Sequence, residues 1–211
     1  MRRILTIIAL GIAQSIFAQG QVVVINRSPQ AVMFAPVYGV NPLNPDTALH
    51  GNATTNGGSV DYTGHLLLSG TTYTATLWGR ASDGSTPWIE LYQTHFRAGS
   101  LTLLGIFGNR NLVAQVPWVT VNGTSSDFQV RAWDNHNGSV GSWQQALANP
   151  SVASGVSTIF TIEVPTAPSD PAFLVGLTSF NLTIVPEPAM ALLSALAGAA
   201  LLWRRRVGRK S

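Results

Sequence analysis

Clusters of Gly, Pro, Asn and Asp cut the chain into short runs of period-two alternation, and that pattern leaves little room for helix. In Thr72-Tyr73-Thr74-Ala75-Thr76-Leu77-Trp78, Tyr73, Ala75 and Leu77 fall on one face and the threonines on the other. Between Asp127 and Asp134, Phe128, Val130 and Ala132 alternate with Gln129, Arg131 and Trp133. Phe160, Ile162 and Val164 repeat the pattern, as do Phe180, Leu182 and Ile184. Gln21-Val22-Val23-Val24-Ile25 opens the series, and residues 31–38 form a further candidate strand. Such alternation marks half-buried strands. The breakers fall between the runs, at Asn41-Pro42, Asn56-Gly57-Gly58, Ser82-Asp83-Gly84, Asn122-Gly123 and residues 135–138 and 165–171, the last reading as a loop. One short helix is expected at 143–148, capped by Ser142 and stopped by Asn149-Pro150. The expected fold is therefore all-β: an antiparallel β-sandwich, jelly-roll or Ig-like, over residues 21–184.

The charges are segregated along the 211 residues. Of 12 Lys and Arg, Arg2 and Arg3 open the chain, and Arg204, Arg205, Arg206, Arg209 and Lys210 close it. Only Arg27, Arg80, Arg97, Arg110 and Arg131 lie between, against all of the 9 acids except Glu187. The middle of the chain is thus mildly acidic although the whole is basic. Nucleic-acid binding needs clustered cations that displace counterions from phosphates. Five scattered arginines exclude it. With no cysteine in the chain, disulfides, thiolate metal sites and a cysteine nucleophile are excluded, and the fold must rest on its apolar core.

Both ends read as targeting segments. Residues 1–20 have the form of a signal peptide: Arg2-Arg3, an apolar run from Ile4 to Ala13, then cleavage after Ala18 or Gly20. At the other end stands Val185-Pro186-Glu187-Pro188. Each proline fixes its own φ and holds the residue before it extended, which yields a stiff segment bearing one carboxylate. Residues 189–203 follow without a charge, and Trp203 suits a membrane interface. Arg204, Arg205 and Arg206 then act as a stop-transfer cluster that keeps the terminus in the cytoplasm. The expected transmembrane helix is short for a hydrocarbon core of about 30 Å, so it is a marginal anchor.

This ordered set, residues 185–211, resembles the PEP-CTERM sorting domain of Gram-negative bacteria. The resemblance implies recognition of Pro186, Glu187 and Pro188 by exosortase, a membrane-embedded protease or transpeptidase. It also implies export, passage through the inner membrane, and delivery to the cell surface or exopolysaccharide matrix. Val37-Tyr38-Gly39, residues 70–78, Phe96-Arg97-Ala98-Gly99 and residues 129–134 resemble recurrent segments of passengers bearing this tag in Verrucomicrobia-like proteins. That second resemblance implies fold and location, and no activity.

Residues that could do chemistry are sparse. There is no Gly-x-Ser-x-Gly elbow and no HExxH, and His50, His65, His95 and His136 sit in no signature. Asp134-Asn135-His136-Asn137-Gly138 has some oxygen-rich character of a calcium loop, but His136 stands where an oxygen is wanted, and a hairpin turn is the better reading. Between the targeting segments the only glutamates are Glu90 and Glu163, and nothing selects a catalytic pair among them and the aspartates. Asp127 and Asp134 read as caps at the ends of a strand. The Asn-x-Ser/Thr sequences at Asn52, Asn122, Asn137 and Asn181 read as turn and edge chemistry. Tryptophan is plentiful, and Trp78 and Trp133 fall on the face opposite the aliphatic residues. Exposed, they and Trp88 would offer flat rings to sugars; buried, they would fill a second core layer.

The expected role is a non-catalytic, structural or adhesive protein of the cell surface or matrix, without metal or cofactor. A carbohydrate-binding module that stacks sugars on Trp78, Trp88 or Trp133 is the second expectation, and a secreted hydrolase the third.

Overall fold

A computed structural model describes residues 19–184. The expected signal segment, as far as residue 18, lies outside the described residues. So does the whole of 185–211, with Pro186, Glu187, Pro188, the apolar run 189–203, and Arg204, Arg205 and Arg206.

The protein is all-β, built chiefly from antiparallel sheets. Its centre is the pair β5 (Tyr73–Ala81) and β8 (Thr124–Asp134). They run antiparallel in unbroken register from Tyr73↔Asp134 to Ala81↔Ser126. The threonine-rich and β-branched composition of these runs suits a pleated strand. Strand β6 (Ile89–His95) flanks β5, with an irregularity between Leu77 and Trp78 where one extra residue enters β6. On the other side of β8, two short strands share one edge. β10 (Phe160–Val164) pairs with its first half and β9 (Ser154–Val156) with its second. Ser157 closes the gap between them. Its backbone N–H donates to Val130 O at 2.8 Å, and its Oγ accepts from Val130 N at 3.0 Å.

A second pair, β1 (Gly20–Ile25) with β7 (Gly108–Val116), is also antiparallel. β1 is apolar without alternation, as a strand covered on both faces must be. Its free edge is taken by the 165–173 segment: Val23 N–H donates to Ala172 O and Ala172 N–H to Gln21 O. The expected loop there thus acts as an edge cover. The side chains of both sheets meet in one core, where Val22, Val24, Ala114 and Val116 share a cluster with Ala75, Leu77, Phe128, Val130 and Phe160.

The candidate strand at 31–38 is divided. β3 (Met33–Phe34) forms a hairpin with β2 (Arg27–Ser28), and β4 (Val37–Tyr38) follows. Pro36, which has no N–H to give a ladder, sits at the break. β4 pairs with β11 (Phe180–Asn181) in parallel, a departure from the all-antiparallel expectation. The two strands come from opposite ends of the described chain, so no tight connection forces them antiparallel. Helix α1 (Trp143–Ala148) forms where expected, with Ser142 Oγ accepting from Gln145 N at 3.3 Å.

Asn26 joins these parts. It is wholly buried just after β1. Its Nδ2 donates to Ala35 O at 2.7 Å and Gly105 O at 2.8 Å, and its Oδ1 accepts from Phe107 N at 2.9 Å. A single amide therefore ties β1 to the β2–β3 hairpin and to the entry of β7.

Two left-handed residues behave oppositely. Gly108 (φ 66°) sits where a Cβ would collide with Val24 O. Val32 (φ 48°) is β-branched and 94% exposed at the hairpin tip. Gly108→Ala should cost about 3 kcal/mol or more, from strain and a buried clash. Val32→Gly should stabilise by about 1 kcal/mol, since left-handed backbone costs a branched residue more than glycine's extra freedom takes back. Equilibrium denaturation of the two variants checks both signs.

Candidate functional site

The outer face of the central sheet carries most of the tryptophans singled out from the sequence. Alternation along β5 and β8 places Thr74, Thr76 and Trp78 beside Trp133 and Arg131 on this face. Helix α1 and the 135–152 segment fold over one end of it. Trp78, Trp133, Val140, Trp143, Ala146 and Val152 form a second core there, with Trp88 and Val156 at its margin. Trp133 is 0% exposed, and its Nε1 donates to Val140 O at 2.9 Å. Trp78 is 8% exposed, and its Nε1 donates to Thr76 Oγ1 at 2.9 Å. Of the two alternatives the sequence leaves open for these rings, stacking on sugar or filling a second core layer, their burial fits the second. The 135–152 cover, which alternation in the strands does not reveal, makes both of them core residues.

Arginines occupy ring faces on the same side. The Arg131 guanidinium lies 4.0 Å from the Trp78 centroid and 5.6 Å from that of Trp143. Arg80 lies 4.8 Å from the Trp88 centroid. Each contact pairs a cation with the negative face of an indole. Burial lowers the Arg131 pKa from its ordinary value, while the Glu90 carboxylate pulls it back up. Desolvation raises the Glu90 carboxyl, against the pull of Arg131. Trp88 alone of the three proposed stacking residues is half-exposed.

Asp127 does not cap a strand end. It lies inside β8, accepting from Arg80 Nε and Nη2 at 3.2 Å each and from Thr161 Oγ1 at 2.8 Å. Sequence spacing gave no sign of this pair, because Arg80 and Asp127 meet only through the β5–β8 register. Asp134 does end the strand, and its Oδ1 accepts from His136 N at 2.8 Å.

The 134–138 segment is a turn. Asn137 is left-handed (φ 57°), Asn135 Oδ1 accepts from Gly138 N, and Asn135 Nδ2 donates to Thr71 O and Thr74 Oγ1. Asp134 Oδ1 and Asn135 Oδ1 are thus engaged by the turn's own N–H groups. Glu90 on β6 and Glu163 on β10 lie at opposite edges of the sheet, with β5 and β8 between them. Three strand spacings separate them by about 14 Å, beyond the roughly 5–9.5 Å of glycosidase carboxylate pairs. The His65 ring donates from Nδ1 to Gly39 O at 2.8 Å, and the His95 ring from Nδ1 to Tyr73 O at 3.2 Å.

An open cavity of about 390 Å³ lies elsewhere, against the β2–β3 hairpin. Arg27, Ser28, Val32, Phe34, Asn52 and Asn56 contribute to its walls. Arg27 lies 5.3 Å from the Phe34 centroid and donates from Nη1 to Thr102 O. The sequence marks Asn52 and Asn56 as turn residues and 31–38 as a strand, and gives none of these residues a ligand role. The only available signal was an isolated arginine beside a Ser-Pro turn, which specifies nothing until the hairpin pairs Arg27 with Phe34.

Comparison with known proteins found no matching family model, no matching curated protein and no matching solved structure.

The two tryptophan environments predict different responses. Trp133→Ala should lose about 3–5 kcal/mol of stability by opening a buried cavity. Trp88→Ala should lose about 1 kcal/mol, as a half-exposed residue holding one cation–π contact does. Urea denaturation followed by circular dichroism distinguishes them; equal losses would contradict the layered arrangement.

Proposed function

We propose that this chain is an exported protein of the bacterial cell surface or exopolysaccharide matrix, with a non-catalytic, structural or adhesive role, and that residues 185–211 are a PEP-CTERM sorting tag. The observation that carries this reading is the order of features at the C-terminus. A stiff Pro186-Glu187-Pro188 segment precedes a charge-free apolar run, which precedes Arg204, Arg205 and Arg206. Pro-Glu-Pro presents an extended carboxylate suited to an enzyme cleft. The apolar run holds it near the membrane, and the arginines stop transfer. Exosortase is the processing partner in this reading, and the inner membrane is the site of transit. The signal segment at residues 1–20 supports the same route.

The passenger in this reading is a β-sandwich of jelly-roll or Ig-like type. The five-stranded sheet would form one layer and β1–β7 with its edge cover the other. Support comes from the shared core between them and the aligned packing that two twisted sheets adopt over such a core. A passenger of this kind suits an extracellular role without disulfides, because its core alone supplies the stability. The non-catalytic assignment is supported by the engagement of His65 and His95 with backbone carbonyls and by the wide separation of Glu90 and Glu163.

Deletion of residues 186–211, in cells that carry an exosortase, should abolish surface placement and leave the passenger soluble. Glu187→Ala in the full chain should slow processing at least tenfold while export continues. Protease shaving of intact cells and the mobility of the processed band report the two effects. Unchanged surface placement of the deletion would overturn the tag assignment.

A further inference from the structure

The cavity beside the β2–β3 hairpin has a wall chemistry that selects for a particular ligand. Arg27 brings a full positive charge, and the partners it makes in the chain are neutral: the Phe34 ring and the Thr102 carbonyl. Among the described residues, neither Asp nor Glu lines the cavity. Asn52 engages Ser179 N–H through its Oδ1 at 3.2 Å, which leaves its amide NH2 to donate. The Asn56 side chain makes no hydrogen bond within the described residues, so it is available in both senses. The polar part of the wall thus combines one cation with two side-chain amides and the Ser28 hydroxyl. The apolar part is Pro29, buried Met33, partly exposed Phe34 and the almost wholly exposed Val32.

Val32 is the informative residue. It holds a left-handed backbone that a branched side chain adopts at a cost of about 1–3 kcal/mol. Its side chain is not buried, so core packing offers no compensation. The strain keeps an apolar side chain at the rim of the cavity, where glycine would relieve the backbone and leave the rim bare. The volume of about 390 Å³ falls within the usual range of about 300–1,000 Å³ for small-ligand sites.

The geometry points to a binding site for a carboxylate-bearing sugar, a uronate unit, in this cavity. Arg27 pairs with the carboxylate, the Asn52 and Asn56 amides take ring hydroxyls, and Phe34 and Val32 contact the apolar face of the ring. An arginine can meet a carboxylate with two parallel bonds, and charge-assisted bonds of this kind are about twice as strong as neutral ones. A simple anion would use Arg27 and the amide donors but leave the apolar surface of Phe34 and Val32 without a partner. This inference rests on the matrix reading above for its biological setting. It is tested on purified protein, so its failure and the failure of the sorting tag are separate results.

The test uses the full chain purified in a neutral detergent and titrated with tetragalacturonate by calorimetry. Its fully methyl-esterified form, which keeps the rings and removes the charges, is titrated in parallel. Sodium acetate and inorganic phosphate are tested as competitors. The expected result is saturable binding of tetragalacturonate, at least tenfold weaker for the ester and at least tenfold weaker in Arg27→Gln. Asn56→Asp, which places a carboxylate on the wall at an accessible turn, should weaken binding by a similar factor and guards against misfolding of the first variant. Absence of saturable binding overturns the proposal, as does equal binding of the ester or unchanged affinity in both variants. Competition by acetate or phosphate as effective as by the sugar also overturns it, since it would define a plain anion site.

Discussion

The rest of the structure hangs on the pairing of β5 with β8. Nine successive residue pairs, Tyr73↔Asp134 through Ala81↔Ser126, run in unbroken register. Each carries a side chain into a buried layer on one face or the other. On the inner face Ala75, Leu77, Phe128, Val130 and Ala132 meet the β1–β7 pair. On the outer face Trp78 and Trp133 meet α1 and the segment that precedes it. A slip of one residue would exchange the two sets, placing tryptophans in a layer sized for alanine and leucine. Register is thus specified twice, once by each core. This double burial removes apolar surface on both sides of the sheet, at about 25 cal/mol per Å². With no cysteine in the chain, this burial takes the place of disulfide cross-links.

Charge is managed by the same sheet. Arginines among the described residues are tied into the fold. Arg80 joins Asp127 and covers Trp88, Arg131 lies between Trp78 and Trp143, and Arg97 donates to Gly108 O. The long arginine stems lie along apolar surface while the planar heads meet rings or oxygens. Arg131 and Glu90 share a partly desolvated site in which each opposes the shift that burial imposes on the other. The consequence for recognition is direct. Arg27 at the cavity and Arg110 on the exposed part of β7 have no carboxylate partner among the described residues. A sparse positive charge on a mildly acidic body suits a small anionic group rather than a polyphosphate backbone.

Part of the strand framework was legible in the sequence, where a strand announces itself by local alternation; β6 and β7, whose runs carry polar residues and no clean alternation, were not anticipated. Alternation located β5, β8 and β10, and the Ser142 cap with Asn149-Pro150 located α1. What else was not legible depends on contacts between distant residues. The outer face of β8 looked half-polar because alternation describes a strand, whereas burial of Trp133 depends on a segment that returns over it. Asp127 looked like a cap because its partner Arg80 is 47 positions away. The 31–38 run divided at Pro36, a local signal outweighed in the reading by the apolar residues around it. The parallel β4–β11 pair joins segments too far apart for any local rule to fix their direction. The cavity is the extreme case, since its walls combine a hairpin with Asn52 and Asn56 from a separate turn.

Asn26 explains why that cavity can exist beside a two-residue hairpin. Strands as short as β2 and β3 have too few ladder bonds to hold a fixed shape unaided. The Asn26 amide, wholly enclosed, supplies three further bonds, two of them to backbone carbonyls on either side of the hairpin's exit. Each such bond contributes only about 1 kcal/mol net, but an unsatisfied buried amide costs more, so the arrangement is effectively all-or-none. The hairpin is therefore fixed at its base by a buried polar lock and free only at its tip, where Val32 carries the strain. A fixed base with a strained, exposed tip orients Arg27 and Phe34 before any ligand arrives. This lowers the ordering cost that binding would otherwise incur.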